Sequence, residues 1–359
     1  MSSGSDRLPR ESPTLEDVAE LADVSVATVS RALSKPHVVK GETYEKVMRA
    51  VEELGYEPRK KYAPTSIGLI APPDFPEGRV FGNYVGGIIH GADKYCARND
   101  LVLSLVSVDT PSVHHMVSTY RMAGLLYLNI FIEDGQRERL LAQPRLRTIL
   151  VGYPPEDVRQ ALESSLTWVT IDDVSGAREA VRYLMSLGHR CIGVIQGDER
   201  HVSNERRLGG VRDAFSEQGV EIPGVPLQSG DFEGQNGFKA LIEWGNYETE
   251  SGFRAMTSLL GRQEPPTAVF AFNDLMAFGA MQAIKESGLE VPRDVSLVGC
   301  DDIIARFLRP ELTTVHQPAI ELGEMAARVL VDLAAGARVV RSQLEARLII
   351  RESCAPPSR

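Results

Sequence analysis

Three doublets in this 359-residue chain place acids or an amide where a short apolar run gives way to a helical pattern: Asp172-Asp173, Asn273-Asp274 and Asp301-Asp302. A fourth polar stretch, Ser203 to Arg207, follows the run Cys191 to Gln196. Carboxylates accept hydrogen bonds, an amide accepts and donates, and a guanidinium donates through a planar fork. Gathered in one crevice with aromatic faces, such groups suit a polyhydroxylated molecule, whose hydroxyls need both donors and acceptors. A sugar is the natural candidate. The plainer reading of each acid is that it caps the helix that follows it. Neighbours in a strand point to opposite faces, so no doublet chelates a metal by itself, and neither a metal nor another cofactor is expected.

A second chemistry is suggested near the amino end, where Arg31, Lys35 and Lys40 cluster in one segment and Arg59, Lys60 and Lys61 in another. The net charge of −10 argues against a basic coat, so any contact with nucleic acid must be local. Enzyme signatures are missing: no GxGxxG or P-loop follows a strand, no Ser sits in a GxSxG turn, and His114-His115 lies in a polar stretch without a partner. The chain is therefore not expected to be an enzyme. Its four cysteines are scattered, without a CxxC pair or a His at ligand spacing, and read as reduced thiols. The polar start Met1 to Thr14 lacks the apolar core of a signal peptide, and no run approaches the roughly 20 apolar residues of a membrane span. These features predict a cytoplasmic protein.

The elements that must carry these residues fall into two groups. From 14 to 58 the pattern is helical. Thr14-Leu15-Glu16-Asp17 has the form of a capping box, with Val18, Leu21 and Ala22 following at helical spacing. Asp23 sits where the chain must turn, and Ser25 is placed to cap a second helix, Val26 to Leu33. A third runs from about Glu42 to Leu54, with Gly55 as its terminator. This pattern fits a helix-turn-helix whose second helix enters the major groove, and it equally fits an ordinary three-helix bundle.

From Ser66 onward short apolar runs alternate with helical patterns: Ile67 to Ile70, Leu101 to Val108, Leu125 to Leu128, Thr148 to Val151, Val169 to Asp172, Cys191 to Ile195, Ala268 to Phe272 and Val295 to Val298. That alternation predicts βαβ units and parallel sheets, with ligands beyond the carboxyl ends of the strands, where the polar doublets lie.

The stretches 14–19, Val24 to Leu33 and Leu54-Gly55-Tyr56-Glu57-Pro58 closely resemble the headpiece of the lactose-repressor (LacI/GalR) family. So do, in the larger region, Leu187-Gly188-His189-Arg190, Phe272 to Ala277, Val291 to Gly299, Asp301-Asp302 and Leu312 to Val315. The resemblance implies an α/β fold: a small all-α helix-turn-helix headpiece followed by a periplasmic-binding-protein-like domain of two Rossmann-like subdomains. It divides the chain into a flexible start (1–13), a headpiece (14–58), a short basic hinge (59–66) and an effector-binding and dimerisation domain (67–359). Crossovers between the lobes are expected near 173–176, 302–305 and 316–320.

The resemblance also implies a function: a repressor that binds a near-palindromic operator as a homodimer under control of a small sugar effector. Positions matching Val26, Ala27 and Arg31 would read bases, and those matching Thr14, Ser25, Thr28 and Ser30 would mainly touch phosphates. Phe81 would lie against the ligand, His201, Ser203 and Arg207 would reach its polar groups, Asn273 and Asp301 would bond its hydroxyls, and Gln317 is a further candidate.

Two departures stand out. Gly230-Asp231-Phe232-Glu233-x-x-Asn236-Gly237-Phe238 is echoed fifteen residues later by Gly245-Asn246-Tyr247-Glu248-x-x-Ser251-Gly252-Phe253, where the family has one copy. Either Phe232 or Tyr247 could then supply the aromatic that stacks on the ligand; the strand-like Val225 to Gln228 favours Phe232, and the surplus reads as extra helical turns. The hinge is also short. Pro64 disfavours helix at Ala63, so Arg59-Lys60-Lys61-Tyr62 is expected to form an extended basic tether that neutralises phosphates. The tail Leu348 to Arg359 carries no heptad run, which argues for a dimer rather than a tetramer.

Overall fold

A computed structural model describes residues 13–34, 38–56, 64–70, 82–106, 117, 120–128, 147–161, 166–224 and 229–358. Phe81, Arg59, Lys60, Lys61, Tyr62 and the strand expected over 225–228 lie outside the described residues.

The headpiece consists of α1 (Leu15–Leu21), α2 (Val26–Ser34) and α3 (Gly41–Leu54). The capping box forms: Asp17 N–H donates to Thr14 Oγ1 at 3.3 Å, and Thr14 N–H donates to Asp17 Oδ2 at 2.7 Å. Asp23 takes the left-handed backbone of the turn, with φ 51°, and Gly55 ends α3 at φ 60°. Val18, Val29, Ala32, Val47, Ala50 and Tyr56 close a small core separate from the larger one.

The remaining chain forms two sheets. The first contains β1 (Ser66–Ile70), β2 (Val102–Val106), β3 (Met122–Leu128), β4 (Thr148–Val151), β5 (Thr167–Ile171) and β12 (Arg341–Leu344), all parallel, in the order β12-β5-β4-β3-β1-β2. The second contains β6 (Cys191–Ile195), β7 (Gly230–Glu233), β8 (Lys239–Glu243), β9 (Ala268–Ala271), β10 (Ser296–Asp301), β11 (Thr313–His316) and β13 (Arg347–Ile349), in the order β13-β11-β10-β9-β6-β8-β7. Only its two outer strands run antiparallel. Strands such as β1, β3, β5 and β9 are buried along their whole length, as parallel strands covered by helices on both faces require.

The first sheet carries α4 (Gly82–Arg98) and α10 (Ala319–Ala334), packed on each other, and the short α5 (Glu156–Ala161). The second carries the packed pairs α6 (Asp173–Ser186) with α7 (Val202–Ser216) and α8 (Thr249–Leu260) with α9 (Asp274–Glu286). The chain changes lobe between β5 and α6, between β11 and α10, and between β12 and β13. The expected crossover at 302–305 is corrected: that stretch stays in the second lobe between β10 and β11, and the remaining crossing lies between Leu344 and Arg347. The last residues then stay with the second lobe, where Ser353 Oγ accepts from Thr313 N–H at 2.8 Å and donates to the Leu297 carbonyl at 2.5 Å.

The duplicated motif is not a gain of helical turns. Its first copy forms the hairpin β7–β8, with Gly237 at φ 73° in the connection, whereas the second copy leads into α8. Asn236-Gly237 is the dipeptide that favours left-handed turns, and Ser251-Gly252 lacks that preference. Gly252 instead lets α8 approach the backbone of Met276, where a Cβ would come within 2.2 Å of its carbonyl oxygen.

Candidate functional site

On α2, Ala32 and Val29 face the headpiece core, while Val26, Ala27, Ser30 and Arg31 are exposed. Residues 26 and 30, and 27 and 31, are four apart, so these side chains share one helical face turned away from the core. Ser25 caps α2 by accepting from Thr28 N–H at 3.1 Å. Arg31 lies along the helix, its Nε donating to the Ala27 carbonyl at 3.1 Å. Thr14 and Thr28 are half-buried. The hydroxyl of Thr14 is already engaged with Asp17, to which it donates at 2.8 Å. The face thus offers one long cation flanked by small residues.

Between the lobes lies a cavity of about 90 Å³. Its walls come from the carboxyl ends of β4, β5, β9 and β10, from Tyr247 after β8 and Gln317 after β11, and from the first two turns of α4 and α7, the position where ligands of open parallel sheets bind. His201, Ser203, Arg207, Tyr247, Asn273, Asp301 and Gln317 all line it.

Arg207 projects from the second turn of α7 and is buried. Its Nε donates to Asp173 Oδ1 at 2.9 Å, Nη1 donates to the Phe272 carbonyl, and Nη2 stands 4.0 Å from Asp301 Oδ1. Gln317, just before α10, donates to the same Asp173 oxygen at 2.8 Å. Asp301 ends β10 with φ 115°, a backbone region that side chains with a Cβ rarely adopt. Among the described residues its carboxylate accepts no hydrogen bond from the protein. Burial raises its affinity for a proton well above the usual carboxylate range; Arg207 opposes that rise, and Asp274 and Asp173 reinforce it.

The three doublets divide their labour. Asp172 caps α6 by accepting from Ser175 N–H at 3.1 Å, leaving Asp173 to hold Arg207. Asn273 caps α9, accepting from Met276 N–H at 2.9 Å while its Nδ2 donates to the Tyr247 carbonyl at 2.9 Å, so both ends of its amide already have partners. Asp274 accepts from Thr314 Oγ1 at 2.6 Å and from Ile303 N–H at 2.8 Å. Asp302 turns from the cleft to Arg351 at 2.5 Å and His316 at 3.2 Å. The two roles are split between members only in the first pair, Asp172 capping and Asp173 facing the cleft; Asn273 both caps α9 and lines the cleft, and in the third pair Asp301 faces the cleft while Asp302 pairs with Arg351 and His316. Among the described residues no group of three acids, His or Cys could hold a metal ion.

Tyr247 and Phe232 differ in placement. Tyr247 follows β8, the parallel neighbour of β6, and lines the cavity, where its ring meets His201 edge-on at 4.9 Å. Gly197 makes room for that ring, since a Cβ there would lie 2.0 Å from it. Phe232 sits on β7, the outermost strand of the second sheet, and does not line the cavity. The preference for Phe232 is thus corrected. His201 is buried against Tyr247, and desolvation lowers its pKa to about 4, which keeps the imidazole neutral near pH 7.

Among the cleft residues that sequence reasoning missed are Tyr84, Ile88 and Tyr153. Tyr84 and Ile88 lie on α4 and follow residue 81 in the sequence at helical spacing, a signal available in the sequence. Tyr153 follows β4 and has no such signal.

Residues 14–59 match the family described as bacterial regulatory proteins, lacI family, and residues 181–354 match the periplasmic binding protein-like domain. The HTH-type transcriptional repressor PurR of Klebsiella pneumoniae (strain 342) is 33% identical over 357 residues, covering 95% of this chain and 97% of its own. A solved complex of the transcriptional regulator CelR with cellobiose is 31% identical, covers 95% of this chain and 99% of its own, and superposes with a TM-score of 0.66. The lac repressor dimer bound to operator and the anti-inducer ONPF is 25% identical, covers 96% of this chain and all of its own, with a TM-score of 0.63.

Proposed function

The chain belongs to the lacI family of bacterial regulatory proteins and is a DNA-binding transcriptional regulator, and we propose that it is a repressor whose operator affinity is set by a sugar bound between its lobes. The observation that carries the sugar reading is the Arg207–Asp301 pair. Among the described residues, a guanidinium with Nη2 free of a close partner faces a carboxylate without a hydrogen bond, 4.0 Å away. A hydroxyl between them accepts from one and donates to the other, and a second hydroxyl on the neighbouring carbon extends the same pattern. Tyr247 supplies an apolar ring face beside the pair, as sugar rings with their C–H faces require. The relative solved with cellobiose supports this ligand class.

The headpiece reading follows from the exposed face of α2. Arg31 is placed to read a guanine edge, with Val26 and Ala27 allowing close approach, while Ser25, Thr28 and Ser30 reach phosphates. Thr14 and the basic residue Arg59 complete the DNA contacts of this proposal. A headpiece of this size buries too little surface for specific affinity alone, so a homodimer on a near-palindromic operator is the working form.

The test is a thermal-shift screen of the purified protein against mono-, di- and acidic sugars, with cellobiose among them, followed by mobility shift on operator DNA. A ligand at 100 times its Kd adds about 2.7 kcal/mol to stability. Hits that also change operator affinity support the reading, whereas a screen in which no sugar stabilises the protein removes sugars as its effector.

A further inference from the structure

Arg206 and Arg207 are neighbours on α7 whose side chains part company. Arg207 turns into the cleft to Asp173 and the Phe272 carbonyl. Arg206 instead reaches the other lobe, its guanidinium carbon standing 3.9 Å from the centre of the Tyr153 ring. Arg206 Nε is buried and makes no hydrogen bond among the described residues. A buried, unpaired guanidinium nitrogen costs free energy unless another contact compensates for lost water, and here the compensation is the ring face.

Tyr153 is braced from behind. Its ring meets Trp168 of β5 edge-on at 6.1 Å, and Arg341 of β12 stacks over Trp168 at 4.7 Å. Tyr153, Trp168 and Arg341 all belong to the first lobe, so Arg206 alone comes from the second. The contact does not run through any of the three crossovers, and separating the lobes must break it. Tyr153 also lines the cleft, so the stack sits at the ligand's wall.

We infer that Arg206 is a latch residue: its stack on Tyr153 holds the lobes closed over the cleft and sets the open–closed balance on which an effector acts. Arg206 is a positioning residue, acting through Tyr153 rather than touching the ligand. A cation–π contact of ordinary strength shifts such a balance roughly twofold to thirtyfold. An effector changes the regulator's state only through contacts that differ between open and closed forms, and a contact that spans the two lobes is one that their separation breaks.

The protein carries its own reporter, because Trp168 and Trp244 are its two tryptophans. In a Trp244→Phe background the emission of Trp168, buried beneath Tyr153, reports whether the latch is shut. The measurement needs no effector, so its outcome is independent of the sugar reading. Acrylamide quenching of Trp168 is expected to rise at least twofold on Arg206→Ala, with a larger radius of gyration in small-angle scattering and an unchanged far-ultraviolet circular dichroism spectrum. Arg206→Gln keeps a long polar side chain without the charge and should behave alike; it replaces the Ala variant if that one folds poorly. Tyr153→Phe retains the ring face and should keep the compact radius of the parent. Quenching and radius both unchanged in Arg206→Gln would overturn the latch, as would opening in Tyr153→Phe equal to that in Arg206→Gln.

Discussion

Arg207 Nε lies 2.9 Å from Asp173 Oδ1, and this ion pair ties the cleft to the crossovers. Asp173 is the first residue of α6, directly after the chain leaves the first lobe, and Gln317 of the second crossing donates to the same oxygen. On the proposed sugar reading, a ligand that recruits Arg207 would pull on two of the segments that join the lobes, which would give the site a physical route to the rest of the molecule.

Removing Arg207 should show both roles. Among the described residues, Arg207→Ala leaves buried Asp173 with only Gln317 as a donor, and breaking a buried pair costs about 3–5 kcal/mol. Urea denaturation should report a loss of that order, and sugar-induced stabilisation should vanish. Operator binding should persist, because the headpiece has its own core. A variant as stable as the parent that still binds effector would count against the assigned role.

The two aromatic candidates separate by substitution. Tyr247→Ala should weaken effector binding at least tenfold, about 1.4 kcal/mol, whereas Phe232→Ala on the outer strand should stay within about twofold. Calorimetry on both variants decides the matter, and the reverse ranking would return Phe232 to the site.

Stability should depend on pH through Asp274. Burial raises its carboxyl from 3.8 to about 6, against the opposing hydrogen bonds of Thr314 and Ile303. Between those values the native state holds a proton that the unfolded state has released. Stability is therefore greatest below about pH 4 as far as this group is concerned, and falls as pH rises to about 6, by roughly 3 kcal/mol. Asp301 acts in the same direction. Denaturation midpoints measured across that range and up to neutrality should show a smaller fall in Asp274→Asn; an equal slope in parent and variant would assign it to other groups.

On DNA, a base contact and a phosphate contact leave different signatures. Arg31→Ala should cost about 1–3 kcal/mol of discrimination between operator and scrambled DNA, measured at one salt concentration. Changing Lys60 and Lys61 together to Ala should weaken both sequences alike and lower the salt slope by about one unit for each phosphate no longer neutralised. If discrimination survives without Arg31, that residue does not read bases.

The headpiece was legible because its signals are local. The capping box spans Thr14 to Asp17, Asp23 and Gly55 each mark one turn, and the exposed face of α2 follows from the helical period. The parallel sheets and the polar character of the strand ends were legible for the same reason, since runs such as Thr148 to Val151 and Cys191 to Ile195 declare themselves within a few residues. What lay beyond the sequence depends on partners far along the chain. Tyr247 rather than Phe232 enters the cleft because β8 lies beside β6 and β7 is left at the edge. Asp172 and Asp173 are indistinguishable until one caps α6 and the other meets Arg207, 34 residues away. The crossing at Leu344 to Arg347 exists because β12 pairs with β5 while β13 pairs with β11. Sequence pattern sets what a segment prefers within a few residues, whereas strand order, register and burial between lobes are settled only when distant segments compete for the same neighbours.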